Sequence, residues 1–128
     1  MKTVALAVIL IALLGGCTTL ETSKSDTNVS SITHTVFFKL KHPEGSNEEA
    51  YFLSRAQALS DISTVQDFAI VKETSPKNNF DYGLFMVFDN QADYTFYNDH
   101  PDHVDFVKNI WIPNVVGFEE IDYIEYTP

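Results

Sequence analysis

The sequence is short of cysteine, of basic side chains and of long apolar runs, and each shortage removes a class of protein. One cysteine, Cys17, excludes an internal disulfide, so a folded domain must rest on its core or on a partner copy. Eight Lys and Arg stand against 18 Asp and Glu, for a net charge of −10. That balance repels phosphate backbones and anionic headgroups, so no nucleic-acid partner is expected. The longest apolar run, Val4 to Leu14, has eleven residues, where a membrane-spanning helix needs about 20. A Gly-rich phosphate loop, a nucleophile elbow and a paired-cysteine motif are all missing. What is there is a chain of 128 residues, 45% hydrophobic and 13% aromatic, enough for one well-packed domain.

The short apolar run fits a signal peptide better than an anchor. Lys2 supplies the positive start, Val4 to Leu14 the apolar core, and Leu14-Gly15-Gly16-Cys17 the end. That last stretch is similar to the lipobox of bacterial lipoproteins, in which two small residues let the backbone enter a peptidase groove before the cysteine. The reading predicts a signal peptide over 1–16 and a lipidated tether over 17–31. Cys17 would carry fatty acyl chains such as palmitate, holding the mature chain on a membrane surface in the cell envelope. Thr18 rather than Asp follows the cysteine. In a diderm bacterium this predicts the periplasmic face of the outer membrane. The stretch TTLETSKSDTNVSS is polar and has no hydrophobic period, as a tether should be.

A folded domain over 32–126 then begins abruptly. ITHTVFFKLK reads as a strand, with Ile32, His34, Val36, Phe38 and Leu40 on one face. Ser46 with Glu49 three residues on is a capping box, and Phe52, Ala56, Leu59 and Ile62 form one helical stripe. Val65 to Glu73 and Tyr82 to Phe88 read as strands. Asn90 with Asp93 opens a helix to about Asp99. Pro101 opens another, expected to carry Val104, Val107 and Trp111 on one side and to be limited by Pro113 and Gly117. Phe118 to Tyr126 reads as the last strand. The order β-α-β-β-α-β is that of a ferredoxin-like α+β sandwich. Helices cover one face of its sheet; the other keeps apolar side chains, which predicts a homodimer closing into an α/β barrel.

HTVFFKLK, FAIVKETSPKNNFDYGLFMVFDN, YNDHPDHVDFV and IDY together resemble the stress-responsive A/B barrel domain (Dabb) family, a family of dimeric α+β barrels. Most members have no known reaction, but a plant member closes a polyketide by aldol chemistry without a cofactor, in a cavity between sheet and helices. By this resemblance the base falls on His103, a tyrosine holding the substrate on Tyr97, and a further histidine on His34. The aromatic wall falls on Tyr51 and Phe52, with Val36, Phe38 and Phe106 beside it. Arg55 stands where the family's cyclase has a third aromatic. This departure predicts an altered or closed pocket.

Plainer roles compete with these. A histidine on an apolar strand face is more often a hydrogen-bonded core residue than a catalyst, and Tyr97 can simply pack its ring. Asp99, His100, Asp102 and His103 invite a metal, yet Pro101 interrupts them and no further ligand has a diagnostic spacing, so neither metal nor cofactor is expected. Glu119, Glu120, Asp122 and Glu125 read as a solvated strand that protects an edge. Two functions follow. The first is an envelope-anchored dimeric barrel that binds a small apolar or aromatic ligand, with a link to stress. The alternative is a cofactor-independent cyclase or lyase acting on a carbonyl compound through His103 and Tyr97. A cavity that reaches His103, Tyr97 and His34 together favours the second; a filled or blocked one favours the first. A haem-degrading or quinol-forming monooxygenase, as found in the wider superfamily, has no signature here.

Overall fold

A computed structural model describes residues 30–128. Lys2, the Val4–Leu14 run, Cys17 and most of the tether lie outside the described residues. The chain runs β1 (Ile32–Leu40), α1 (Asn47–Gln57), a 3-10 turn (Ala58–Asp61), β2 (Gln66–Lys72), β3 (Tyr82–Phe88), α2 (Gln91–Asp99), α3 (Pro101–Phe106), a π-helical turn (Val107–Trp111), α4 (Ile112–Asn114) and β4 (Val115–Tyr123). The four strands form one antiparallel sheet in the order β2-β3-β1-β4. This is the ferredoxin-like α+β fold, as the element order predicts.

Local chemistry starts each helix where the sequence places it. The Ser46 hydroxyl accepts from the Glu49 amide at 3.2 Å, and the Asn90 side chain accepts from the Asp93 amide at 2.9 Å. His100 caps α3 by accepting from the Asp102 amide at 3.2 Å, with Pro101 in the first turn. One of the two histidines of the candidate metal quartet is therefore spent on a cap.

Period-two alternation in β1 decides the layers. Ile32, His34, Val36, Phe38 and Leu40 are all buried under the helices. From α1 and its 3-10 extension, Phe52, Ala56, Leu59 and Ile62 meet them, and β3 adds Leu84, Met86 and Phe88. Phe38 is 0% exposed, with its ring centroid 5.4 Å from that of Phe52 and 5.0 Å from that of Trp111. The opposite face of the sheet carries Phe37, Phe85, Val87, Ile121 and Tyr123, which no helix among the described residues covers. There the Phe37 ring lies across Gly83, so close that a Cβ would sit 2.9 Å from it.

Three expectations need correction. Val104 does not face the core; it is 51% exposed, while Phe106 and Ile110 are buried. The inward stripe of this helix is His103, Phe106, Val107 and Ile110, at the i, i+3, i+4, i+7 spacing that leaves Val104 about 100° away from His103. Pro113 lies inside the final helical turn and Gly117 inside a strand, so neither ends the helix; the change to extended backbone comes at Val115. The last strand accordingly spans Val115–Tyr123, starting and stopping three residues earlier than expected. In β2, the strand start is bent by a bulge between Gln66 and Ala69, where Asp67 takes a positive φ of 49°.

Candidate active site

Between the sheet and the α3 segment lies a cavity of about 280 Å³. Its floor is Val36 and Leu84 from the sheet with Leu59 from the first helical layer. Its roof is Phe106, Val107, Trp111 and Ile112. Phe118 and Glu120 form the β4 side. His34, Tyr97, Asn98 and His103 supply the remaining polar lining. The three groups expected to act together thus do share one cavity.

His103 stands in the first turn of α3, where a backbone carbonyl of the preceding helix comes within reach. Its Nδ1 lies 3.1 Å from the Asn98 carbonyl oxygen. A carbonyl can only accept, so Nδ1 carries the proton and Nε2 is left with a lone pair for a ligand. Burial pulls the imidazole below its ordinary pKa; the Asn98 carbonyl opposes this and His34 adds to it. The ring is therefore held neutral, as a general base must be. The Tyr97 ring packs against it, tilted by 36°, with centroids 4.2 Å apart. Tyr97 is 2% exposed, and burial pushes its phenol well up, so the hydroxyl keeps its proton and serves as a donor.

His34 is not an isolated core histidine. Cross-strand register sets it opposite Asp122, and its Nδ1 lies 2.6 Å from Asp122 Oδ1. The Tyr94 hydroxyl donates to Asp122 Oδ2 at 2.7 Å and lies 3.2 Å from His34 Nδ1. Burial, then the bond to Asp122, pushes the Tyr94 phenol upward. The imidazole, 6% exposed, is thereby locked in one tautomer with Nε2 as its remaining nitrogen. A carboxylate orienting an imidazole is the arrangement that acid–base sites use.

Sequence reasoning missed Asp122, Tyr94 and Glu120. Glu120 and Asp122 are exposed on the edge strand β4, as expected, but with Phe118 they also occupy its helix-facing side, opposite Val36 and His34. Alternation along FEEIDY carries that signal. Tyr94 is one helical turn before Tyr97, and both are buried. His34, Glu120 and Asp122 each place a ligating atom within 4.8 Å of the others, the spacing of a metal triad among the described residues. The donors fit acid–base work better, because His34 Nδ1 and both Asp122 oxygens are already engaged with one another and with Tyr94.

The remaining expected wall residues are placed differently. Val36 and Phe106 line the cavity. Phe38 and Phe52 pack behind it as core, their rings tilted against each other and against Trp111. Tyr51 is 55% exposed, on the solvent side of α1. Arg55 neither lines nor shuts the cavity; its guanidinium turns to Asp105 at 3.4 Å, in a separate acidic cleft. That cleft supplies Arg55 with the Asp105 carboxylate, one helix away.

Fold and cavity together define a ferredoxin-like α+β protein with a cavity between sheet and helices that two histidines and a tyrosine line. The chain belongs to the stress responsive A/B barrel domain family, Dabb, whose profile matches residues 32–125. A Dabb family protein with a ferredoxin-like fold from Mesorhizobium loti is 47% identical; the match covers 77% of this chain and 99% of that one, with a TM-score of 0.75. A dimeric ferredoxin-like protein of unknown function from Bacteroides fragilis is 24% identical, covering 74% and 96%, with a TM-score of 0.58. The hydroxynitrile lyase of Passiflora edulis is 16% identical, covering 77% and 96%, with a TM-score of 0.69. The last two likenesses are ones of fold. No curated protein matches the chain.

Proposed function

We propose that the protein is an acid–base lyase or cyclase acting on a small, largely apolar carbonyl compound or its adduct. The observation that carries this reading is the convergence of His103, Tyr97 and His34 on one open, mostly apolar cavity. Tyr97 donates a hydrogen bond to the substrate oxygen. His103 Nε2 takes the proton of an adduct hydroxyl; the O–H electrons form the carbonyl, the adjacent C–C bond breaks, and its pair leaves on the departing carbon, which His103 then reprotonates. Run backwards, the same step closes a C–C bond. A related fold serves a hydroxynitrile lyase in Passiflora edulis, which is chemistry of this class. The test is release of aryl aldehyde, followed by absorbance, from aryl hydroxynitriles and β-hydroxy ketones. Release no faster than with heat-denatured protein overturns the proposal.

The assembly belongs to the same proposal: a homodimer formed through the uncovered sheet face, as in the dimeric ferredoxin-like neighbour from Bacteroides fragilis. Phe37, Phe85, Val87, Ile121 and Tyr123 supply its apolar contact. Ile121→Asp is expected to give monomers where the unchanged chain gives dimers, read by size-exclusion chromatography with light scattering. A monomer for the unchanged chain at micromolar concentration refutes the pairing.

We place the dimer in the cell envelope through a lipid on Cys17, on the motif Leu14-Gly15-Gly16-Cys17. Two anchors per dimer retain it better than one. Cys17→Ser is expected to abolish incorporation of radioactive palmitate and to leave the precursor uncleaved. Labelling that persists in the variant removes the anchor.

A further inference from the structure

The cavity wall has one charged group that the proposed proton transfer does not use. Glu120 lines the cavity from β4, directly across from Val36. Its neighbour on the same face, Asp122, is fully occupied by His34 and Tyr94. Glu120 has no such partner: among the described residues no Lys or Arg lies within ion-pair distance of it, and no Lys or Arg lines the cavity. Beside it stand aromatic faces. Trp111 and Phe118 both line the cavity, with ring centroids 5.6 Å apart and nearly perpendicular. Phe106 and Tyr97 complete the aromatic wall. Tyr97 itself is 2% exposed.

An uncompensated carboxylate next to several aromatic rings is the chemistry that receives an organic cation. The ring quadrupoles attract positive charge, and the carboxylate supplies the counter-charge and a hydrogen-bond acceptor. The same arrangement disfavours an anion, which would meet Glu120 at close range with no Lys or Arg in the lining to offset it. We infer that this cavity selects arylalkyl compounds carrying a protonated amine over their neutral and carboxylate counterparts, with Glu120 as the residue that sets the preference. The inference rests on the cavity being the ligand site, as proposed above, and adds the charge class of its ligand.

Trp111 is the single tryptophan of the chain and forms part of the wall, so its fluorescence reports occupancy directly. The full chain is titrated with 2-phenylethylammonium, 2-phenylethanol and 3-phenylpropanoate, which share a ring and a two-carbon spacer and differ in charge. The ammonium is expected to bind about tenfold more tightly than the alcohol, with the carboxylate weakest. Glu120→Gln is expected to remove the ammonium advantage while the alcohol binds as before, and Glu120→Ala to do the same. Raised salt is expected to narrow the preference. Circular dichroism checks that both variants are folded. Equal or tighter binding of the carboxylate overturns the inference, as does an unchanged preference in both variants or the absence of quenching by all three compounds. Failure here is distinct from failure of the proposed reaction: ammonium selectivity without aldehyde release removes the lyase and keeps the cation site, and aldehyde release without any effect of Glu120 on selectivity does the reverse.

Discussion

His103→Ala is expected to lower the rate of aldehyde release by about 10²- to 10⁴-fold, the range over which a positioned general base acts. The size follows from the position of the ring. The imidazole is fixed from two sides, by the Asn98 carbonyl at Nδ1 and by the Tyr97 ring packed against it at 4.2 Å. A neutral Nε2 therefore faces a ligand without the entropy of a searching side chain. The pH dependence has a defined sign. Burial lowers the folded-state pKa of His103, so activity is present above that lowered value and falls only when the pH drops through it. The acid limb of the rate profile should lie below the ordinary imidazole range and vanish in the variant. The same shift makes a stability contribution: the unfolded chain binds the proton more readily, so stability falls as pH drops through the window between the unfolded and the lowered folded pKa. A loss of activity below threefold in folded His103→Ala protein, or an acid limb that survives in it, removes His103 as the base.

Phe38→Ala is expected to cost about 3–5 kcal/mol of folding stability, the usual range for deleting a buried phenylalanine ring. Phe38 ties the sheet to the helices at the centre of this core. Phe38 is 0% exposed and holds ring contacts with Phe52 from α1, Tyr82 from β3 and Trp111 from the cavity roof. Removing it opens a hole where sheet and helices meet, and the surrounding rings can fill it only in part. Small domains are stable by about 5–15 kcal/mol, so the variant would approach or cross the point of unfolding. Tyr51→Ala, on the exposed side of α1, is expected to stay within about 0.5 kcal/mol of the unchanged protein. Urea midpoints for the two variants measure the contrast. A shift below 1 kcal/mol for Phe38→Ala would mean that the helices do not pack on β1 as described.

The two predictions draw on different kinds of information. Phe38 is recognisable from alternation in ITHTVFFKLK, because a strand sends successive side chains to opposite faces whatever it pairs with. His103 and Tyr97 came from a motif, and their ring contact is local, six residues apart across one helix junction. Glu120 and Asp122 were legible only as far as their alternation. That they turn inward depended on which way β4 faces when it pairs with β1, more than eighty residues away. Arg55 shows the converse: its position in the family pattern suggested the cavity, and the choice of Asp105 as partner was made by the orientation of α1 against α3.

Local rules in the chain were thus enough for the element order, the helix caps, the buried stripe of β1 and the ferredoxin-like fold that follows from them. Each depends on contacts between near neighbours or on a period of two or 3.6 residues, and such patterns survive without knowledge of the rest. The tertiary structure alone decided that His34 is tied to Asp122 and Tyr94, that Val104 faces solvent while Phe106 and Ile110 face the core, and that Glu120 borders an aromatic cavity with no Lys or Arg partner among the described residues. Those outcomes depend on strand register and on helix orientation over the sheet. Both are set by the packing of the whole core at once, and no short stretch of sequence carries that information.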